Sequence, residues 1–105
     1  MINFIKKIFH SQADVQLKEM INNKALLVDV RTKEEFANGH VKGSVNIPLD
    51  NIVKDLNRFK DKNGIVVFCR SGMRSSRAKS ILEQNGIANV INGGTWQSVN
   101  KLVNG

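Results

Sequence analysis

The sequence predicts an α/β fold: a small, mostly parallel central sheet flanked by helices on both faces. Two observations carry this prediction. Short apolar runs alternate along the chain with stretches of helical periodicity, the pattern of strand–helix–strand units. The runs Ala25–Val30 and Ile65–Phe68 are apolar at nearly every position rather than every second one, as strands covered on both faces are. A chain of 105 residues with 41% hydrophobic and 24% charged content has room for one core and no second.

The elements follow in order. Ser11 with Asp14 opens a helix whose apolar face is Val15, Leu17, Met20 and Ile21, ending near Asn22. Ala25–Val30 is the first buried strand. Thr32 and Glu35 have capping-box spacing and start a short helix through Phe36 that Gly39 stops. Val45–Ile47 is a brief strand ended by Pro48, the one proline. Asp50 is placed to cap a helix in which Ile52, Val53, Leu56 and Phe59 recur at helical spacing. Asp61–Gly64 is a turn, and Ile65–Phe68 is the next strand. A helix then runs from about Ser75 to Asn85, burying Ala78, Ile81 and Leu82 and stopping at Gly86. Ile87–Ile91 is a last strand, Asn92-Gly93-Gly94 a turn, and Thr95–Val103 a closing helix carrying Trp96, Val99 and Leu102.

Residues 11–105 form the domain, and residues 1–10 are an amphipathic extension. In the extension the spacing of Ile5, Ile8 and Phe9 suits one helical face, expected to pack on the domain rather than to make a dimer contact or a weak membrane-surface anchor. Lys6 and Lys7 break its apolar run, so a secretory signal is not expected. No stretch reaches transmembrane length, so stable membrane insertion is not expected either. A single cysteine makes no internal disulfide, and the expected compartment is the reducing cytoplasm. His10 and His40 lack zinc-ligand spacing to it, so no metal site or other cofactor is expected.

The net charge of +7 is uneven: from residue 62 onward six basic residues face only Glu83. Nucleic acid and a small anion compete as partners. No aromatic residues interleave the basic ones as a base-stacking surface requires, and the chain has no tyrosine. The basic cluster centres on Cys69, which favours the small anion, and no nucleic acid partner is expected.

The most telling segment is Phe68-Cys69-Arg70-Ser71-Gly72-Met73-Arg74-Ser75. It sets the one cysteine at the end of an apolar strand, before a Gly-containing loop and the N-terminus of a helix. Free cysteine at such a place is by default a small core hydrophobe. The residues after it argue otherwise. Arg70, Arg74, Arg77 and Lys79 crowd a helix N-terminus with no acid before Glu83, and positive charge on a positive dipole is unfavourable unless an anion sits there. Unpaired amides and two arginines favour thiolate over thiol, so Cys69 is expected to be a nucleophile of depressed pKa. Its position beyond the carboxyl end of a strand is where open α/β sheets bind ligands.

With these residues in view, the chain resembles the single-domain rhodanese family of sulfurtransferases. Leu27-Val28-Asp29-Val30-Arg31, Glu35-Phe36 and Gly39-His40-Val41-Lys42-Gly43-Ser44-Val45-Asn46-Ile47-Pro48 are similar to the family's upstream signature, and Asn92-Gly93-Gly94-Thr95-Trp96 to its closing segment. The resemblance implies a rhodanese-like domain in which Cys69 takes a sulfane sulfur from thiosulfate or a similar donor. The resulting persulfide passes it to cyanide or a thiol, with a protein as a further acceptor. It implies a nest of backbone N–H groups from Arg70 through Ser75 around the sulfur, with Gly72 supplying a conformation that a Cβ opposes. Arg74 and Arg70 then bind the donor's oxyanion, with Arg70 facing either the pocket or solvent; Ser71 offers its hydroxyl to the sulfur or the loop, Met73 lines the pocket, and Ser75 caps the helix. Asp29 and Arg31 are expected to pair as a brace, His40 to fix its loop, and Trp96 to serve the core.

Two other readings compete. A persulfide carrier for a protein partner has the same sequence features. A cysteine phosphatase or arsenate reductase places arginine six positions after cysteine, whereas here Arg74 is the fifth and Ser75 the sixth.

Overall fold

The two apolar runs lie side by side. In the computed structural model, which describes residues 12–104, β1 (Leu26–Asp29) and β3 (Ile65–Cys69) pair in parallel from Leu26↔Ile65 to Asp29↔Phe68. β2 (Val45–Asn46) adds to the outer edge of β1, and β4 (Val90–Thr95) to the outer edge of β3. The four strands run in the order β2-β1-β3-β4, all parallel. The helices are α1 (Gln12–Asn22), α2 (Lys33–Ala37), α3 (Met73–Gln84) and α4 (Trp96–Asn104). The extension 1–10 and the helix start at Ser11 lie outside the described residues.

All five residues of β3 are buried because both faces of the sheet are covered. Successive side chains of a strand point to opposite faces. Ile65, Val67 and Cys69 accordingly join Val28, Val30 and Ile47 beneath Ala78 and Leu82 of α3. Val66 and Phe68 join Leu17 of α1 and Val99 of α4 on the other side. Each fully buried aliphatic side chain contributes roughly 1.5–3 kcal/mol. The same alternation puts the Cys69 side chain on the face that α3 covers.

Three expectations are corrected. The stretch expected as one helix from Asp50 forms two 3-10 turns, Leu49–Asn51 and Leu56–Phe59. Its start is held by the sheet: Leu49 N–H donates to Val30 O at 3.1 Å, directly after Pro48. Asp55, at φ −107° and ψ 24° with no side-chain cap bond, separates the two turns. Ile52 and Phe59 still reach the core, while Val53 is left exposed.

The last strand lies later than expected. It runs Val90–Thr95, so Asn92-Gly93-Gly94 is strand rather than turn. Val67 pairs with Asn92 and Phe68 with Gly94, which leaves Gly93 as the extra residue of a bulge. A Cβ at Gly93 would stand 2.8 Å from Val99 Cγ2 and 2.9 Å from Val66 Cγ1. Absence of a side chain there lets α4 close on the sheet; it is not a turn signal. Finally, α3 starts at Met73, two residues before the expected Ser75.

Gly93→Ala is therefore expected to destabilise the fold by about 1–3 kcal/mol, the usual range for overpacking a core. A lower urea midpoint at unchanged slope checks this.

Candidate functional site

β3 delivers Cys69 to the carboxyl edge of the sheet, and the next three residues turn back over it. Gly72 makes the turn possible. It is the N-cap of α3 in the left-handed region, at φ 95° and ψ −10°, where a side chain is strained. In that conformation its N–H donates to Cys69 Sγ at 3.0 Å. Ser75, in the first turn of α3, is fully buried; its N–H donates to the same sulfur at 3.4 Å, and its Oγ lies 3.4 Å away. Helix N-termini carry N–H groups without intrahelical partners, and here two of the loop's amides find a sulfur.

Burial pushes the Cys69 thiol up. Once the sulfur is ionised, the Ser75 hydroxyl within reach of it and the Ser75, Gly72 and Ser71 amides outweigh burial and bring the thiol below its ordinary range. The side chain is wholly covered in this conformation, but by its own loop as well as by the core, and the loop's amides face it.

The other expected site residues are distributed differently from the sequence reading. Ser75 does not cap the helix: Gly72 precedes it as N-cap, and its buried hydroxyl donates to Asn92 Oδ1 at 2.7 Å. Arg74 does not stand open to an oxyanion. Its Nη1 and Nη2 donate to Glu35 Oε1 and Oε2 at 2.7 and 3.0 Å, which ties α3 to α2. Met73 is 79% exposed, on the outside of the loop rather than in a pocket wall. The Ser71 amide favours the thiolate of Cys69. Arg70 is exposed and forms no ion pair among the described residues.

Glu35 serves two partners. Its carboxylate accepts from Thr32 N–H at 3.0 Å, closing the expected capping box, and it holds Arg74. The Arg74 hydrogen bonds, with those from Thr32, hold its carboxyl at about 2, against an ordinary 4.5.

Asp29 and Arg31 form the expected brace. Arg31 Nη2 donates to Asp29 Oδ2 at 2.6 Å and to Gly39 O at 2.7 Å, and both residues are buried. The Arg31 guanidinium also lies over the Trp96 ring, 4.7 Å from its centroid, so Trp96 supports the brace. His40 Nδ1 is 2.8 Å from Phe36 O and its ring stacks on Phe36, which fixes that loop.

Asn92 was missed by the sequence reading. Its Nδ2 donates to Gly72 O at 3.1 Å and its Oδ1 accepts from Gly94 N–H at 2.9 Å. It thereby ties the bulge of β4 to the cysteine loop. Its composition signal was that of a turn, but its place at the carboxyl end of the neighbouring strand was a usable clue.

Surface depressions bordered by Lys24, Lys62, Asn63, Asn85 and Asn89 lie at the opposite, amino-terminal edge of the sheet. No helix among the described residues is long and apolar enough to cross a membrane.

A parallel α/β sheet with a cysteine-centred, amide-lined loop at its carboxyl edge defines a class of anion-handling domains. Residues 14–97 match the rhodanese-like domain, and the chain belongs to that family. It is 39% identical over 74 residues to the thiosulfate sulfurtransferase PspE of Escherichia coli, covering 69% of this chain and 71% of that one. It is 36% identical over 67 residues to a sulfurtransferase of Allochromatium vinosum, covering 64% of this chain and 63% of that one. A rhodanese-like domain protein from Staphylococcus aureus superposes with a TM-score of 0.67 at 33% identity, covering 78% of this chain and 86% of that structure. The chain spans 55% and 36% of the lengths of two Bacillus subtilis relatives that it also matches.

The Glu35–Arg74 pair predicts an acid-sensitive contribution to stability. A folded-state pKa held below the unfolded value stabilises the fold above pH 4.5, and this is lost as pH falls towards about 2. Urea denaturation at a series of pH values is expected to show a loss in that window for the wild type that is smaller in Glu35→Gln.

Proposed function

We propose that the protein is a thiosulfate-type sulfurtransferase working through a Cys69 persulfide. The observation that carries this reading is the pair of amides, Gly72 and Ser75, donating to Sγ. Family membership supports it, as does the name of the Escherichia coli relative.

In the first displacement the Cys69 thiolate attacks the outer sulfur of thiosulfate. The donor's S–S bond breaks, and its electron pair leaves with sulfite. In the second, a thiolate or cyanide attacks the outer sulfur of the persulfide, and Cys69 departs as thiolate. The first step brings two anions together. Unit charges 4 Å apart repel by about 4 kcal/mol at an effective dielectric constant of about 20. Two hydrogen bonds to an ionised group, each about 1.5–3 kcal/mol, offset that repulsion. Arg70, exposed and without an ion pair among the described residues, is the cation for the donor's oxygens. Arg74 keeps the loop in place through Glu35.

A carrier role is the second reading. One Bacillus subtilis relative bears a name that proposes sulfur carriage. A persulfide that forms on thiosulfate treatment but resists cyanide would select it.

Intact mass spectrometry after thiosulfate treatment is expected to show one added sulfur, on the peptide bearing Cys69. Cys69→Ser is expected to lose both that adduct and thiocyanate formation while keeping the far-UV dichroism of the fold; residual turnover would remove the assignment. Arg70→Ala is expected to raise KM for thiosulfate about tenfold with little change in kcat, the scale of one exposed charge-assisted contact. Unchanged steady-state kinetics would exclude that contact.

A further inference from the structure

The hydrogen bonds around Ser75 contain fewer protons than acceptors. The Asn92 amide fits only one way round: its NH2 must face the Gly72 carbonyl at 3.1 Å, and its oxygen must face the Gly94 N–H at 2.9 Å. Oδ1 therefore has no hydrogen to offer Ser75, and the Ser75 hydroxyl donates to it across 2.7 Å. A hydroxyl carries one proton. With that proton on Asn92, Ser75 Oγ presents lone pairs to Cys69 Sγ, 3.4 Å away. Lone pairs suit a thiol, which donates its S–H to them. Facing a thiolate they repel.

We propose that Asn92 is a positioning residue for Cys69, holding the Ser75 proton while the sulfur is a thiol and yielding it to Sγ when the sulfur ionises. The exchange is a rotation of one hydroxyl between two acceptors already within reach, and no heavy atom has to move. Asn92 thus competes with the thiolate for a single proton and opposes ionisation of the resting enzyme. The proposal rests on Cys69 being the reacting nucleophile.

Of the charged groups near Cys69, Arg70 is exposed, and on α3 Arg77 is exposed and Lys79 pairs with Glu83 at 3.5 Å. Arg74 of α3 is tied to Glu35 of α2, and Asp29 and Arg31 are paired at the end of β1. Asp50, on the first 3-10 turn, is exposed, and β4 carries no ionisable side chain. None of them bonds to Ser75 or Asn92 through a side chain, so altering Asn92 leaves the charge pattern as it was.

The test is the pH profile of iodoacetamide alkylation of the chain's single thiol, in wild type, Asn92→Ala, Ser75→Ala and the double variant. Asn92→Ala frees the hydroxyl for the thiolate and is expected to lower the midpoint by about one pH unit, the scale of one hydrogen bond to an ionised group. Ser75→Ala is expected to raise it, and the double variant to follow Ser75→Ala. An unchanged or raised midpoint in Asn92→Ala, as simple loosening of the Gly72 loop gives, overturns the proposal. The wild type supplies a second readout that needs no variant. Its one S–H Raman stretch, below the alkylation midpoint, is expected at the lowered frequency of a donating thiol, and a free-thiol frequency overturns the proposal equally. Neither measurement involves sulfur transfer, so their failure and failure of the persulfide experiment are separate results.

Discussion

The amides of Gly72 and Ser75 converge on one sulfur atom, and most of what surrounds that convergence serves to maintain it. A cysteine at the end of a buried strand is ordinarily inert, because burial disfavours the thiolate. Here the amides that face Sγ, with the Ser75 hydroxyl within reach of it, overcome burial. Their direction depends on Gly72 in the left-handed region and on a helix that begins at once after it. Asn92 then ties the Gly72 carbonyl and the Ser75 hydroxyl to β4. The cradle is therefore held between two neighbouring strands and the helix that covers them.

The charges near the cradle divide into bracing and open groups. Arg74 has its guanidinium on Glu35, whose capping box also fixes α2, so one carboxylate joins two helices at the site. Arg31 joins Asp29, the Gly39 carbonyl and the Trp96 ring, which anchors the loops at the end of β1. The buried Asp29–Arg31 pair is a weak source of stability but penalises any arrangement that separates it, whereas Arg74–Glu35 is partly exposed. These two pairs hold loop geometry at the carboxyl edge of the sheet. Arg70 is left outside the bracing network, and the chain's net charge of +7 supplies the longer-range attraction for an anion.

How much was legible beforehand follows from what each signal measures. The buried strands β1 and β3 were read from continuous apolar runs, which report two-sided burial directly. The Thr32–Glu35 capping box and the Asp29–Arg31 brace were also legible, since their partners lie within three residues of each other. Asn92-Gly93-Gly94 was misread because its composition matches a turn. What makes it strand is β3, far away in sequence, which supplies its hydrogen-bond partners, while Val66 and Val99 forbid a side chain at Gly93. The Asp50 segment had helical spacing, yet its first turn is fixed by a bond to Val30 that no local pattern encodes.

The sequence by itself determined the parallel α/β class, the position of Cys69 at the carboxyl end of a strand, and the excess of positive charge around it. Each of these follows from local composition and from the alternation of strand and helix. Only the tertiary structure decided which arginine is open, that Ser75 serves the sulfur rather than the helix cap, and that Asn92 belongs to the site. Those outcomes depend on contacts such as Arg74–Glu35 and Ser75–Asn92, 39 and 17 residues apart in sequence. A hydrogen bond is set by distance and direction in space, and neither exists until the strands have paired.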